Sequence, residues 1–400
     1  MSRPLKCGKL SEVEDQENTD KISSLPDDLL GHLLSFLPTK NAVSPIKKFH
    51  LNCGEHTYDD THLHAWVSVA LLKRVEQLNL SFRGQFNALP HCLFVCQTIV
   101  ELKICCIKGF RVPNSIHLPS LKILRLTSKN FSDRDSLGKF VSTCSLLQEL
   151  IVDQCEWHVD SDRHVCLSSQ SVKHLTIIYC KDRFEVDAPN LVYLQYYSTE
   201  DVDVALSLKS ADRLVEANLE FSFTDNSDLI QLGLALIKAV YHVKELYLRG
   251  DAIQFLTRTE DDQIPLYPNL VKLYLGLCTY DTWKYVTYWL ANLPRLETLI
   301  FYQGLVDVYS RAEKWPSNIA LIPFSSRVKV IEACSFNGTT TELVILKYLL
   351  KNARILKRLI LYKVLENFSK KQELQANKKL LMFPRASKTC VVQLRKEEQY

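Results

Sequence analysis

The sequence has few of the residues, and none of the short motifs, on which most catalytic and metal sites are built. Glycine accounts for only 11 of its 400 residues, so loops that could wrap a phosphate are scarce. There is no Walker-type loop, no G-x-S-x-G turn, and no H-E-x-x-H or CxxC spacing for zinc. His62 and His64 stand two apart, and such residues do not share a helix face. We therefore predict a chain that is not an enzyme and holds no metal and no cofactor.

An excess of one charge and long apolar runs are also missing. The chain has 49 basic and 45 acidic residues, whereas nucleic-acid-binding domains usually show a clustered basic excess. No run approaches the roughly 20 apolar residues of a membrane span, and Met1–Asp20 lacks the apolar core of a signal peptide. The 13 cysteines, an odd number, favour a reducing compartment. We expect no nucleic-acid or membrane partner, and a location in the cytoplasm, the nucleus or both.

A spaced pattern of apolar residues runs along most of the chain. In Leu270–Cys278 the first, fourth and sixth residues are leucine and the ninth is cysteine, which is the leucine-rich-repeat pattern L-x-x-L-x-L-x-x-N/C. The three apolar positions occur in thirteen copies: Ile46/Phe49/Leu51, Val75/Leu78/Leu80, Ile99/Leu102/Ile104, Leu121/Leu124/Leu126, Leu147/Leu150/Val152, Val172/Leu175/Ile177, Leu191/Leu194/Tyr196, Leu214/Ala217/Leu219, Val243/Leu246/Leu248, Leu270/Leu273/Leu275, Leu296/Leu299/Phe301, Val328/Ile331/Ala333 and Leu356/Leu359/Leu361.

This repeat predicts the fold. The copies start at a mean step of about 26 residues, which lies within the range of leucine-rich repeats. Each unit is a strand followed by a helix or loop, and it buries its apolar side only against its neighbours. We predict an α/β leucine-rich-repeat solenoid, a horseshoe with parallel strands on its concave face. A face of roughly 1,000 Å² is enough for one side of a protein interface. Ala217 and Ala333 make two of the copies weak.

Helices are expected before several of the strands. Apolar periodicity, and Asn, Asp or Thr residues that can cap the starts, place them within 57–73 and at Asp135–Cys144, Asp228–Ala239, Asp281–Leu290 and Glu342–Leu350. Cys155, Cys180 and Cys278 occupy the ninth position of their repeats. We expect each of them to be a small buried polar group that closes the turn after a strand.

Residues 22–43 read as a short amphipathic helix. Pro26 suits a first helical position, and the acidic pair that follows it favours the positive end of a helix dipole. Apolar residues then recur at helical spacing until Pro38 ends the helix. By spacing alone, this helix needs a partner or caps the open end of the solenoid.

The same residues resemble the first half of the F-box of plant F-box proteins. The segments Leu25–Leu29 and Leu34–Lys40 carry the resemblance. In that family the box docks on a Skp-family adaptor and so joins a cullin-containing SCF ubiquitin ligase. The resemblance implies adaptor contacts at Leu25, Pro26, Leu29, Leu33 and Leu34.

The chain departs from the family after Val43. There the family continues into a second helical stretch, whereas this chain continues with Ser44-Pro45-Ile46-Lys47-Lys48-Phe49, which is similar to the family's first repeat strand. The second half of the box and its linker are therefore predicted to be missing, as in a splice variant or a degraded copy.

The other end of the chain resembles the FBD region that follows the repeats in plant F-box/FBD/LRR-repeat proteins. The segments Leu350–Lys357 and Phe383–Ser387 carry this resemblance, although the family usually has glycine where Ala386 stands. The predicted organisation is a disordered tail at 1–20, a partial F-box at 21–43, leucine-rich repeats at 44–314, an FBD domain at 315–394 and a tail at 395–400.

Two functions follow from this organisation. The first is the substrate-recognition subunit of an SCF ligase, with a Skp-family adaptor and a cullin as partners and a target protein on the repeats. The second is an adaptor-deficient repeat protein, a truncated isoform or decoy, that binds a partner without recruiting a ligase. Residues 22–43 favour the first, and the junction between Val43 and Ser44 favours the second.

The predicted contact surface for the target protein is the concave face. Side chains alternate along a strand, so those between and just after the inward pair point away from the core. The predicted substrate-contact residues are Tyr193, Gln195, Tyr197, Tyr247, Arg249, Lys272, Tyr274 and Tyr302. Tyr and Arg are enriched at the centres of interfaces, but tyrosine is also simply a good strand former.

Overall fold

The structure is a computed structural model. It describes residues 46–54, 60–83, 89–106, 112–113, 115–128, 134–157, 164–198, 206–221, 226–250, 252–258, 265–276, 278–306, 327–363 and 370–396. Packing of the backbone divides the chain into two units, Met1–Ile46 and Lys47–Tyr400. The predicted tail at 1–20, the partial box at 21–43 and the five predicted adaptor contacts all lie outside the described residues, so they stay predictions.

The second unit is built on a parallel sheet of 14 strands. In this sheet each strand pairs in parallel with the next, so the core is one continuous layer. Its strands, numbered in chain order, are β1 Lys48–Cys53, β2 Gln77–Phe82, β3 Glu101–Cys106, β4 Ile123–Ser128, β5 Glu149–Asp153, β7 His174–Ile178, β9 Tyr193–Tyr197, β11 Glu216–Phe221, β12 Glu245–Gly250, β13 Lys272–Leu275, β14 Thr298–Phe301, β15 Val330–Phe336, β16 Arg358–Lys363 and β17 Val391–Lys396.

The register of the sheet confirms the predicted alignment of the repeats. Leu273 lies opposite Leu246 on one side and Leu299 on the other, which are the same repeat position in three successive units. All three are fully buried, and burying a leucine stabilises a fold by roughly 1.5–3 kcal/mol. Ala217 and Ala333 keep the same register and are also fully buried, so the two weak copies are genuine repeats.

The predicted helices are present, each within three residues of its expected ends. The α-helices are α1 Asp60–Leu72, α2 Arg134–Thr143, α3 Ser227–Ala239, α4 Tyr280–Ala291, α5 Thr340–Asn352 and α6 Lys370–Met382. Two 3-10 helices, His91–Val95 and Ala252–Arg258, were not predicted. None of the helices in the described part of the chain is long and apolar enough to cross a membrane.

The expected caps open three of these helices. Asn226 accepts hydrogen bonds from the first turn of α3, and Thr279 does the same for α4. At α5, the Thr339 hydroxyl accepts from the backbone of Glu342, whose carboxylate accepts from the Thr339 backbone at 2.7 Å. These bonds satisfy backbone donors that a helix start leaves unpaired. The local sequence therefore sets where each of the three helices begins.

A second, three-stranded parallel sheet was not predicted. It contains β6 Val165–Ser168, β8 Phe184–Asp187 and β10 Leu206–Ser210, and its order is β10-β8-β6. Since β5, β7, β9 and β11 belong to the main sheet, the chain alternates between the two sheets from β5 to β11. In this part of the solenoid, a strand of the second sheet follows the main-sheet strand of each repeat, whereas other repeats have a helix at that place.

Helix α2 packs against β6, an outer strand of the second sheet. Gly138 makes this contact possible, because a Cβ atom at that position would lie 2.4 Å from the backbone oxygen of Cys166. No side chain can occupy that space without moving one of the two backbones. An outer strand with unpaired backbone groups invites association with other chains, and α2 covers this one.

The main sheet continues beyond the predicted repeats. The predicted array ended at the Leu356/Leu359/Leu361 copy, but Val391–Lys396 adds a fourteenth strand in register with β16. Its aligned first position is Thr389, which does not fit an apolar pattern. The prediction of thirteen strands was therefore one short, and the strands of the predicted FBD region belong to the main sheet.

The cysteines at the ninth repeat position have the predicted structural role. Cys155, Cys180 and Cys278 are buried, and their thiols lie 3.5–3.6 Å from backbone oxygens of their own or the preceding strand. Burial raises the pKa of the Cys278 thiol to about 12, so the group stays protonated and able to donate.

Candidate binding surface on the open face of the main sheet

The strands of the main sheet present one set of side chains away from the core. We call this surface the open face. It consists of the residues between and on either side of the two core positions of each strand, and it is the face predicted to be concave. On β12 these residues are Glu245, Tyr247 and Arg249, all half-buried, while Leu246 and Leu248 between them are fully buried. The alternation follows from the two-residue period of a strand.

The structure places the eight predicted contact residues on this face. All eight are half-buried. Seven lie within β9, β12 and β13, and Tyr302 follows directly after β14. Of these strands, β12, β13 and β14 are consecutive neighbours, and β11 separates β9 from β12. Residues up to about a hundred positions apart in sequence therefore meet on one surface.

Arg249 lies at the centre of this group. Its guanidinium carbon lies 4.9 Å from the ring centroid of Tyr302, 5.8 Å from that of Tyr247 and 5.9 Å from that of Tyr197. Its Nε atom donates a hydrogen bond of 2.9 Å to Asn218 Oδ1. A cation within about 6 Å of an aromatic face is attracted by the ring. Arg249 thus holds together side chains from four different repeats.

Asn218 is the link that the sequence analysis missed. Its amide nitrogen donates to the Tyr197 hydroxyl at 3.1 Å, while its oxygen accepts from Arg249. Asn218 is 6% exposed, so the nitrogen and the oxygen of its amide both form hydrogen bonds that are largely shielded from solvent. It sits between the core positions of the weak copy that contains Ala217. Selecting the residue between the two core positions of that copy, as was done for Gln195 and Tyr247, would have identified Asn218.

The rings of Tyr247 and Tyr274 form the aromatic part of the surface. These residues are register partners on β12 and β13, and their rings stack. Burial raises the pKa of the Tyr247 hydroxyl, with further contributions from the hydrogen bond to Tyr274 and from the charges of Glu216 and Glu245. The Tyr247 hydroxyl is therefore neutral near neutral pH, and the two stacked rings offer a flat apolar patch with polar tips.

Other predicted contact residues have partners within the face. The Tyr193 hydroxyl donates to Gln195 Oε1 at 2.9 Å, and Lys272 forms an ion pair of 2.9 Å with Glu245. Glu216 lies directly opposite Glu245 on the neighbouring strand. Burial, followed by the charge of Glu245, raises the pKa of the Glu216 carboxyl, against a smaller opposing effect of Lys272. This pair of like charges was also missed by the sequence analysis.

Nearer the start of the sheet the open face is charged rather than aromatic. Arg125 Nη2 lies 3.1 Å from Glu149, and Arg125 Nε lies 3.6 Å from Glu101, so the arginine joins three strands. A hollow of about 270 Å³ lies beside it, lined among others by His50, Gln77 and Lys103. The face therefore has two chemically different halves, and the tyrosines mark the second.

The arrangement suits binding rather than bond chemistry. Its polar groups are spread along an extended surface with flat rings, and such surfaces supply the anchor residues of protein interfaces. Within the ranges that the structure describes, no group of three His, Cys, Asp or Glu side chains is placed to hold a metal ion.

Comparison with known proteins gives two family matches. Residues 63–216 match the model described as FBD-associated F-box protein At5g56370, LRR repeats. Residues 323–361 match the FBD model. The first match covers strands β2 to β10 and the first residue of β11, and the second covers β15, α5 and most of β16.

Similar proteins come from Arabidopsis thaliana. F-box/LRR-repeat protein At2g42720 is 27% identical over 94% of this chain and 99% of its own length. F-box/LRR-repeat protein At4g14096 is 27% identical over 94% of both chains. F-box/LRR-repeat protein At4g14103 is 28% identical over 72% of this chain and 92% of its own length. The similarity thus extends over repeats and flanking regions together.

Proposed function

Because the chain belongs to the plant F-box/LRR-repeat proteins that carry an FBD region, we propose that it is the substrate-recognition subunit of an SCF ubiquitin ligase. In this role residues 22–43 contact a Skp-family adaptor, which connects the chain to a cullin. The open face of the main sheet binds the target protein. The chain contributes proximity between the target and the conjugating enzyme, and no bond chemistry of its own.

The observation that carries the substrate-binding part of the proposal is the arrangement around Arg249. Tyr197, Tyr247 and Tyr302 lie around one arginine on the open face, and Tyr274 stacks on Tyr247. Side chains of these two types dominate the energetic centres of protein interfaces. The strand preference of tyrosine explains part of the number of tyrosines on this face. It does not explain why they lie around one cation, which a sheet face with only a structural role does not need.

A second candidate function is an adaptor-deficient repeat protein that binds a partner without recruiting a ligase. The junction between Val43 and Ser44 supports it, because the later helices of an F-box have no counterpart there. The alignment with At2g42720 runs over 453 positions although only 94% of the 400 residues take part. That relative therefore has internal residues for which this chain has none, in keeping with a shortened box.

Affinity purification from plant cells tests the choice between the two functions. The tagged chain is compared with a variant carrying Leu25→Ala and Pro26→Ala, and with one carrying Tyr247→Ala and Tyr274→Ala. A ligase subunit brings down adaptor and cullin, loses both in the first variant and keeps both in the second. Absence of adaptor and cullin in all three samples, with co-purified proteins that depend on the two tyrosines, establishes the adaptor-deficient function.

A further inference from the structure

Arg249 differs from the other half-buried cations of the open face. Arg125 forms ion pairs with Glu101 and Glu149, and Lys272 forms one with Glu245. For Arg249, the described residues include no carboxylate within ion-pair distance, and its side chain contacts Asn218 and three rings. Arg125 and Lys272 are thus neutralised by carboxylates of the same face, whereas Arg249 is held by aromatic rings and one amide.

The carboxylate of Glu220, on the neighbouring strand, does not form an ion pair with Arg249. Glu220 is the register partner of Arg249 on β11, and Arg249 lowers the pKa of its carboxyl while burial raises it more strongly. The two groups still form no ion pair, because the guanidinium is directed towards Asn218 and Tyr302. Nε donates to Asn218, and neither Nη group donates a hydrogen bond to a described residue.

Arg249 reaches across the neighbouring strand to contact Tyr302. Leu275 is the register partner of Leu248, and the Gly276 amide donates to the Leu248 oxygen. Gly276 therefore follows β13 beside Arg249, and Tyr302 follows β14, the next strand. Because Gly276 has no side chain, nothing from β13 separates the guanidinium carbon at this position from the Tyr302 ring centroid 4.9 Å away. The guanidinium thus lies among rings from β9, β12 and the end of β14.

We propose that Arg249 binds the carboxylate of an aspartate or glutamate side chain of the partner protein. This inference rests on the proposed function, since it names the chemistry by which the same face recognises its target. A carboxylate matches the planar fork of the guanidinium and accepts two parallel hydrogen bonds from it. Arg249 is half-buried among the rings, so the attraction is stronger than at a fully exposed arginine.

The surrounding charges restrict the partner to one acidic side chain at this point. Glu220 lies opposite Arg249 on β11, Glu216 lies on the same strand, and Glu245 lies on β12. Glu245 forms an ion pair with Lys272, and within the described residues the other two glutamates form none. A run of acidic residues in the partner would be repelled by these glutamates, whereas a single carboxylate flanked by apolar or aromatic residues would contact Arg249 and the stacked tyrosines.

Binding of matched peptide pools to the purified full-length chain tests the inference. Four pools of short degenerate peptides differ only at a fixed central residue, which is Glu, Gln, Arg or phosphoserine. They are titrated against the natural chain and against Arg249→Gln, Arg249→Lys and Lys347→Gln. The last is the matched control, because it removes an exposed cation from α5, outside the open face. Thermal melting of each variant checks that it is folded.

The natural chain is expected to retain the Glu pool about tenfold better than the Gln pool, as a charge-assisted pair predicts. Arg249→Gln removes this preference, Arg249→Lys reduces it because the fork is lost, and Lys347→Gln retains it. A preference for Glu that survives Arg249→Gln overturns the inference. So does stronger retention of the phosphoserine pool that depends on Arg249, because the ligand is then a phosphate.

Two further outcomes separate this inference from the proposed function. Peptides that bind without preference for Glu, but are released by Tyr247→Ala with Tyr274→Ala, overturn the role of Arg249 and leave the open face as the binding surface. If binding of every pool is unaffected by substitutions on the open face, both the inference and the proposed binding surface are wrong. Recruitment of the adaptor is measured separately and is not affected by either result.

Discussion

Tyr247 and Tyr274 stack face to face, with ring centroids 3.8 Å apart and planes within 10° of parallel. The two residues occupy the same position in successive repeats and are register partners in the sheet. The stacking is therefore a consequence of the repeat itself, because it places like residues about 4.8 Å apart on neighbouring strands. The distance between the strands is close to the distance at which aromatic rings stack.

The first prediction concerns this pair. Aromatic pairs contribute about 0.5–1.5 kcal/mol beyond the burial of their area. The loss of stability in the variant with both Tyr247→Ala and Tyr274→Ala should be smaller by about that amount than the sum of the two single losses. Denaturant unfolding of the four proteins measures it. Strictly additive losses would show that the two rings do not stabilise one another.

A second prediction tests the strand register. Leu273 is fully buried between two neighbouring leucines, so Leu273→Ala should cost roughly 2–5 kcal/mol through lost transfer energy and a cavity. Tyr274→Ala, on the open face, should cost clearly less. Thermal unfolding compares the two variants, and equal decreases in melting temperature would mean that the assigned register is wrong.

The third prediction concerns Gly138. A methyl group there would lie 2.4 Å from a backbone oxygen, which cannot move aside as a flexible side chain can. Gly138→Ala should therefore destabilise the protein by about 1–3 kcal/mol, as overpacking does. Gly54→Ala is the control, since nothing lies within 4 Å of its Cβ position. Equal melting temperatures of the two variants would mean that α2 is not seated against β6.

The fourth prediction is a dependence on pH. Burial and the neighbouring Glu245 raise the pKa of the Glu216 carboxyl in the folded state. The folded protein then binds more protons than the unfolded chain at pH values just above the ordinary pKa of glutamate, so ionisation of Glu216 lowers stability as the pH rises through that range. Glu216→Gln should therefore raise the melting temperature at pH 7, and the gain should shrink towards pH 4.

Glu76→Gln serves as the control for this pH dependence, because Glu76 is exposed. It should change the melting temperature little at either pH. A gain for Glu216→Gln that is equal at both pH values, or a loss at pH 7, would contradict the assigned repulsion between Glu216 and Glu245.

The fifth prediction concerns adaptor binding. The helix expected at about Asp27–Leu37 is shorter than the roughly 12–15 residues that an isolated helix needs in water, and Pro45 disfavours helix at Ser44. Ordering it on binding would consume part of the contact energy. This chain should therefore bind a purified Skp-family adaptor weakly or not at all, and grafting a full box between Val43 and Ser44 should restore binding.

Calorimetric titration of the adaptor against both versions measures the difference. Submicromolar binding by the chain as it stands, abolished by Leu25→Ala with Pro26→Ala, would establish a working ligase subunit and contradict the prediction of weak binding.

The main sheet was predictable because its signal is repeated. Thirteen copies with the same spacing fix both the register and the burial of positions such as Leu246 and Leu273, and the side-chain period of two then places Tyr247 and Arg249 on the opposite face. The last strand was missed because Thr389 stands where the pattern requires an apolar residue.

The second sheet was missed although its signal was present. Phe184-Glu-Val-Asp and Leu206-Ser-Leu-Lys alternate apolar and polar residues as half-buried strands do. An alternation over only four residues is a weak signal for a strand, compared with a spacing pattern that recurs in thirteen copies.

The contacts of the site were less predictable than its location. That Arg249 would bond to Asn218 rather than pair with Glu220 depends on the direction of a flexible side chain. Rings from its own repeat and from two others contact the guanidinium and decide this direction. Sequence spacing predicts the strand and the face on which each residue lies. It does not predict which of several neighbouring side chains a residue contacts.

The alternation of the chain between two sheets from β5 to β11 has a mechanical consequence. In this stretch, backbone hydrogen bonds join successive repeats in the main sheet and again in the second sheet. Elsewhere, they join the repeats only in the main sheet, and the other side of each repeat is held by side-chain packing of helices. Bending or twisting this stretch would have to break bonds on two flanks at once. Tyr197 stands on β9 within this stretch, while Tyr247 and Tyr274 stand on β12 and β13, which lie beyond it and are each followed by a helix. The Tyr197 side of Arg249 is thus held more rigidly than the side formed by Tyr247.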